Sequence, residues 1–196
     1  MKGDINSIDL FAEETKNILS GETSSLYRLD GMERINMSAD KIKFIELFKM
    51  RPGTHGFFIF KEGKNDLELT CKFGTEGDIL WVRETWEDYT DPELNKDFKD
   101  KARELFLSRP NIKSWPSFEF MPKAACRIFL KIKAIRPDRV RNIFTEETSW
   151  KMGNYSHKTI WQRNKWVYVI DFERIDPKQY AAEDKKFAKW MGNKRL

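Results

Sequence analysis

The sequence predicts an α+β protein built on a small, mostly antiparallel sheet or barrel, with helices between and after the strands. Three observations carry this expectation. CRIFLKIKAIR, Cys126 to Arg136, alternates apolar and basic residues at the two-residue period of a half-buried strand. WVYVIDFERI, Trp166 to Ile175, is apolar on both faces for its first half, the pattern of a central strand. FFIF and LELTCKF flank the turn-like EGKND as the two arms of a hairpin.

Taken in order, DLFAEETKNILS, residues 9 to 20, spaces Leu10, Phe11, Ile18 and Leu19 near helical periodicity and predicts a short helix capped by Gly21. SADKIKFIELFKMRPG predicts a second amphipathic helix, with Ser38 as N-cap, Pro52 and Gly53 as its stop, and Ile42, Ile45, Leu47 and Phe48 as its apolar face. The hairpin from Phe57 to Phe73 follows, and then a strand after Gly77, GDILWVRETW. On that strand Ile79, Trp81, Arg83 and Thr85 share one face, and Leu80, Val82, Glu84 and Trp86 the other. Residues 91–109 are charged with sparse apolar positions and predict a surface helix inserted between strands. In the next strand Ile128, Leu130, Ile132 and Ala134 face one way and Arg127, Phe129, Lys131 and Lys133 the other. A final helix over 178–191 docks through Phe187, Trp190 and Met191.

Composition narrows the class. At 196 residues, 40% apolar and 14% aromatic, the chain has material for one sizeable core, so a single domain over 1–196 is expected. A net charge of +5 and a pI near 9.1 are compatible with a polyanionic partner without demanding one. Cys71 and Cys126 stand apart from any CxxC or Cys/His cluster, which predicts buried thiols and neither a disulfide framework nor a zinc site. The start, MKGDINSIDLFAEETK, has acids where a signal peptide needs an apolar run, and no segment reaches the roughly 18 apolar residues of a membrane span. A cytoplasmic protein with no membrane association is expected.

Familiar catalytic signatures are missing from the sequence: GxGxxG, the P-loop, GxSxG and HExxH. His55 and His157 sit beside no second useful group and read as surface or loop residues. Glu84, next to Trp86 on a strand face, has two readings, a ligand-facing carboxylate or the partner of an arginine. The basic set Arg83, Lys123, Arg127, Lys131, Lys133, Arg136, Arg139 and Arg141, interleaved with Trp86, Trp115 and Phe129, reads either as a positive groove with stacking platforms or as a solvated strand face. No cofactor is called for.

Four stretches in this order, KNILSGETSSLYR, GDILWVRETWE, MPKAACRIFLKI and KWVYVIDFERI, resemble ASCH-domain proteins of the phage and prophage type, covering most of the chain from about residue 10 to 175. The resemblance implies the PUA-like superfold, a small β-barrel flanked by helices whose relatives bind RNA or modified nucleic acid. Small bacterial members are amidohydrolases acting on N4-acetylcytidine, with chemistry attributed to a lysine and a threonine in a turn resembling GRKTxTxR and to a later glutamate. Set against GETSSLYR, that turn places Thr23 at the lysine and Leu26 at the threonine, while TEETSWKMG places Met152 at the glutamate.

Amide hydrolysis needs a nucleophile, a proton acceptor and oxyanion stabilisation, which Thr23, Leu26 and Met152 do not supply. The expectation is therefore a non-catalytic protein that binds RNA or a nucleotide-containing ligand through Ser24, Arg28, Arg83, Glu84, Trp86, Lys123 and Arg127. Two alternatives stand beside it. One is an amidohydrolase on N4-acylated cytidine rerouted through Ser24, Ser25 or Glu84; the other is a phage protein that binds a host protein through 91–109 or 180–191.

Overall fold

A computed structural model describes residues 7–48, 57–84, 121, 126–148 and 157–180. Strand β1 (Ser7–Leu10) leads into helix α1 (Ala12–Leu19), strand β2 (Ser25–Arg28) and helix α2 (Glu33–Met37). After a 3-10 turn at Ala39–Lys41 come strands β3 (Ile42–Phe48), β4 (Phe57–Glu62), β5 (Asn65–Thr70) and β6 (Ile79–Glu84). Strand β7 (Phe129–Arg139), short helices Val140–Ile143 and His157–Gln162, and strand β8 (Trp166–Ile175) complete the order. The class is mixed α+β, with the strands in two sheets, one ordered β1-β6-β7-β8-β2 and one ordered β3-β4-β5.

Among the described residues these strands form no closed barrel. The larger sheet nevertheless curls strongly. A flat five-stranded sheet would hold its edges β1 and β2 roughly 19 Å apart, beyond the reach of one side chain. Yet Arg28 of β2 donates from Nη2 to the Asp9 carbonyl of β1 at 2.9 Å. The second sheet packs on the inner face of the first through Phe58 against Tyr168 and Phe60 against Trp166, with ring centroids 5.5 and 5.4 Å apart, and Phe73, beyond the end of β5, meets Tyr168 at 5.7 Å. Phe58, Phe60 and Tyr168 are wholly buried, and burial of each of the two phenylalanine side chains contributes roughly 1.5–3 kcal/mol.

Expected elements and observed ones differ in informative places. The helix expected after Ser38 is instead the short 3-10 turn followed by strand β3. Ile42, Phe44, Ile45 and Phe48 are β-branched or aromatic, and β4 offers an antiparallel edge that outweighs a marginal helical period. A bulge between Phe44 and Glu46 breaks strict alternation, which is why the segment imitates a helical pattern. Residues 9 and 10, expected in the first helix, belong to β1, paired in parallel with β6.

The hairpin forms as expected, with Glu62 opposite Asn65 across Gly63 and Lys64, and Gly63 at φ +63. In β7 a bulge between Ile132 and Ala134 inverts the expected register, so Ile135 is buried where Ala134 was expected to be. Strand β8 lies between β7 and β2, in keeping with its doubly apolar first half. Residues 177–180 start a helix in which Asp176 Oδ1 accepts from Lys178 N at 2.7 Å and Gln179 Oε1 accepts from Asp176 N at 2.9 Å, a reciprocal cap. The rest of the expected final helix, and all of 91–109, lie outside the described residues.

One turn fixes the approach to β6. Gly74 sits at φ +100, and Asp78 Oδ2 lies 2.6 Å from where a β-carbon would stand. That same oxygen accepts from Thr75 N at 2.8 Å, so it is not free to move aside. Gly74→Ala is expected to destabilise the protein by about 1–3 kcal/mol, seen as a lower urea midpoint at unchanged slope.

Candidate functional site

GETSSLYR is first a helix stop. Gly21 N donates to Ile18 O at 3.2 Å and Glu22 N to Asn17 O at 2.9 Å, with Gly21 at φ +78, which closes α1 in a Schellman turn. Thr23 Oγ1 then donates to Ser25 O at 3.0 Å and holds the chain as it becomes β2. Leu26 is buried in the main core, whereas Ser24 is exposed and lends its carbonyl to Phe172 N at 2.9 Å. The two family positions described here thus have local structural duties; Met152, like Trp86 and Lys123, lies outside the described residues.

Strand alternation turns Arg28 inward beside Leu26, where it is 5% exposed. Its guanidinium grips Glu14 with both Nη atoms, at 2.7 and 3.1 Å, and donates to the carbonyls of Tyr27 at 2.8 Å and Asp9 at 2.9 Å. Glu14 also accepts from Phe11 N at 3.2 Å, the backbone N–H at the N-cap of α1. One arginine and one glutamate therefore tie β2, α1 and β1 together.

At the far end of β6, consecutive residues diverge to opposite faces. Arg83 donates from Nε to Asp9 Oδ1 at 2.6 Å, a cross-strand pair on the outer face, and its guanidinium stands 6.0 Å from the Trp81 ring. Glu84, 1% exposed, accepts from Arg127 Nε at 3.0 Å and Nη2 at 3.1 Å in a two-pronged pair. The structure thus gathers Arg28, Arg83, Glu84 and Arg127 around the ends of β1 and β6, with Asp9 linking Arg28 to Arg83. Of the two readings of Glu84, the arginine pair is the one observed.

The wider basic set is not a continuous open groove among the described residues. Lys133 faces Glu173 at 3.5 Å and Arg136 faces Asp171 at 2.6 Å. Arg139 donates to the carbonyls of Ala39 and Asn164 and lies 4.6 Å from the Trp166 ring, with burial pulling its pKa below the ordinary value. Arg141 binds the Trp161 and Gln162 carbonyls and lies 4.8 Å from the Trp161 ring. The missing signal was the β8 acids, which stand opposite the β7 bases only once the register is known.

Sequence reasoning also missed a hydroxyl with a carboxylate beside it. Ser25 Oγ donates to Asp171 Oδ1 at 2.6 Å, while Arg136 holds the other oxygen at 2.6 Å. Tyr27 stands on the same face, its ring 4.7 Å from Phe144, and burial raises its pKa. Asp171 lies 146 residues from Ser25, so only the β2 to β8 pairing reveals the contact.

Cys71 offers no nucleophile. It is fully buried, and burial pushes its thiol up from 9.0 to about 12. It is expected to resist an aromatic disulfide reagent in native protein near neutral pH and to react once urea unfolds the chain. Because the folded thiol holds its proton more tightly, its contribution to stability is complete below pH 9 and declines as pH rises from 9 towards about 12.

Among the described residues no group of three His, Cys, Asp or Glu side chains is placed to hold a metal, and no helix is long and apolar enough to cross a membrane. Comparison with protein-family models, with curated proteins and with solved structures found no match for this chain.

Proposed function

We propose that this chain binds RNA or another nucleotide-containing ligand without transforming it, as a cytoplasmic ASCH-type protein of phage or prophage origin. Its larger sheet is read as a PUA-like core left open between β1 and β2. The observation that carries the proposal is the gathering of Arg28, Arg83, Glu84 and Arg127 around the ends of β1 and β6. Three of the four stretches that resemble the family supply those residues, and the fourth supplies β8 of the same sheet.

Lack of turnover is supported by the duties of Thr23 and Leu26, one bound to a backbone carbonyl and the other in the core. The test is a titration of the purified protein with a mixed short-RNA pool and with N4-acetylcytidine, following binding and product together. Binding without product supports the proposal; no binding to RNA, DNA or nucleoside at low salt overturns it.

The Ser25 and Asp171 contact favours a second reading, hydrolysis of acylated cytidine with Ser25 as nucleophile and Asp171 as proton acceptor. Against it, Arg136 already donates to Asp171 Oδ2 at 2.6 Å, so both carboxylate oxygens are engaged. Product formation abolished by Ser25→Ala, with unfolding midpoint retained, would establish this second reading; absence of product in the unaltered protein removes it.

A further inference from the structure

The arginines at the ends of β1 and β6 are not equivalent. Arg28 spends both Nη groups on Glu14 and two backbone carbonyls and is sealed from solvent. Arg127 commits Nε and Nη2 to buried Glu84. Arg83 is different: its Nε is held by Asp9 at 2.6 Å, and its Nη1 and Nη2 meet no acceptor among the described residues. Its side chain is 25% exposed.

Anchoring at Nε fixes the plane of the guanidinium, and the two Nη groups then present N–H donors side by side. That is the fork which matches two oxygens of a phosphate. A second unmet donor stands on the same strand face: the buried Trp81 indole N–H has no partner among the described residues.

We propose that Arg83, oriented by Asp9, is the phosphate-recognising residue of this protein, taking a nucleotide or RNA phosphate end-on through Nη1 and Nη2. This inference rests on the nucleotide-binding reading but makes a separate claim, because Arg83 would show affinity for phosphate whatever carries it. Arg28 and Arg127 act on the same region only by holding its strands.

The test uses the full chain with arginine side chains labelled for NMR, inorganic phosphate and uridine monophosphate as free probes, and a short mixed-sequence RNA. Phosphate is expected to shift the Arg83 side-chain signals and leave those of Arg28 unmoved. Arg83→Gln is expected to weaken RNA binding about tenfold, the order of one charge-assisted contact, and to lower the salt slope by about 0.7. Arg136→Gln, which alters a base paired elsewhere, should leave both nearly unchanged.

RNA binding with an unaltered slope in Arg83→Gln, and Arg83 signals unmoved by phosphate, overturns the inference while the nucleotide-binding reading stands. Arg83 shifts with inorganic phosphate alone, without affinity for RNA or uridine monophosphate, do the reverse and assign the fork to free phosphate; shifts with uridine monophosphate uphold both and assign it to a mononucleotide. Silence of every probe overturns both. Retained unfolding midpoints in Arg83→Gln exclude loss of fold as the cause.

Discussion

Arg28→Ala is expected to destabilise the protein by about 3–5 kcal/mol, the range for removing one partner of a buried ion pair. The Arg28 and Glu14 side chains are 7% and 15% exposed, so the orphaned carboxylate would remain largely out of water. Two backbone carbonyls would lose a donor as well, those of Tyr27 and Asp9. The change also removes the described side-chain link between the edges of the curled sheet. Arg28→Lys keeps the charge but not the fork and should recover only part of the loss. Urea unfolding measures both variants. A loss under about 1 kcal/mol for Arg28→Ala, the size of an exposed pair, would contradict the clasp.

A comparable loss, about 3–5 kcal/mol, is expected for Arg127→Ala, because Glu84, 1% exposed, would lose the two-pronged pair that Arg127 makes with it. The logic is checked by a cycle. Adding Glu84→Gln to Arg127→Ala removes the carboxylate charge that faced Arg127 and should restore part of the stability, even though one more native group has been altered. A double variant less stable than Arg127→Ala alone would mean that Glu84 contributes through contacts independent of its charge partner.

Legibility in the sequence followed the range of the interactions. The hairpin, β6, β7 and β8 rest on local alternation and turn chemistry, and all appear where they were expected. The segment after Ser38 was misread because its preference is weak, and pairing with β4, a tertiary contact, decided its state. Ala134 and Ile135 exchanged faces because a bulge carries no sequence period of its own. In the site, residue types were legible but their commitments were not. Arg28 could be singled out from GETSSLYR, yet its saturation by Glu14 and Asp9 depends on the curl that brings β2 near β1, which no local pattern encodes. The Ser25 contact with Asp171 was hidden by the same long separation.

On the proposed reading, the sheet end carrying Arg83 meets the phosphates of an RNA. The most direct measurement is the affinity of the unaltered protein for a short mixed-sequence RNA across a series of salt concentrations. A linear fall of log affinity with log salt is expected, at about 0.7 per phosphate contacted. Affinity that is absent at low salt, or indifferent to salt throughout the series, would contradict it.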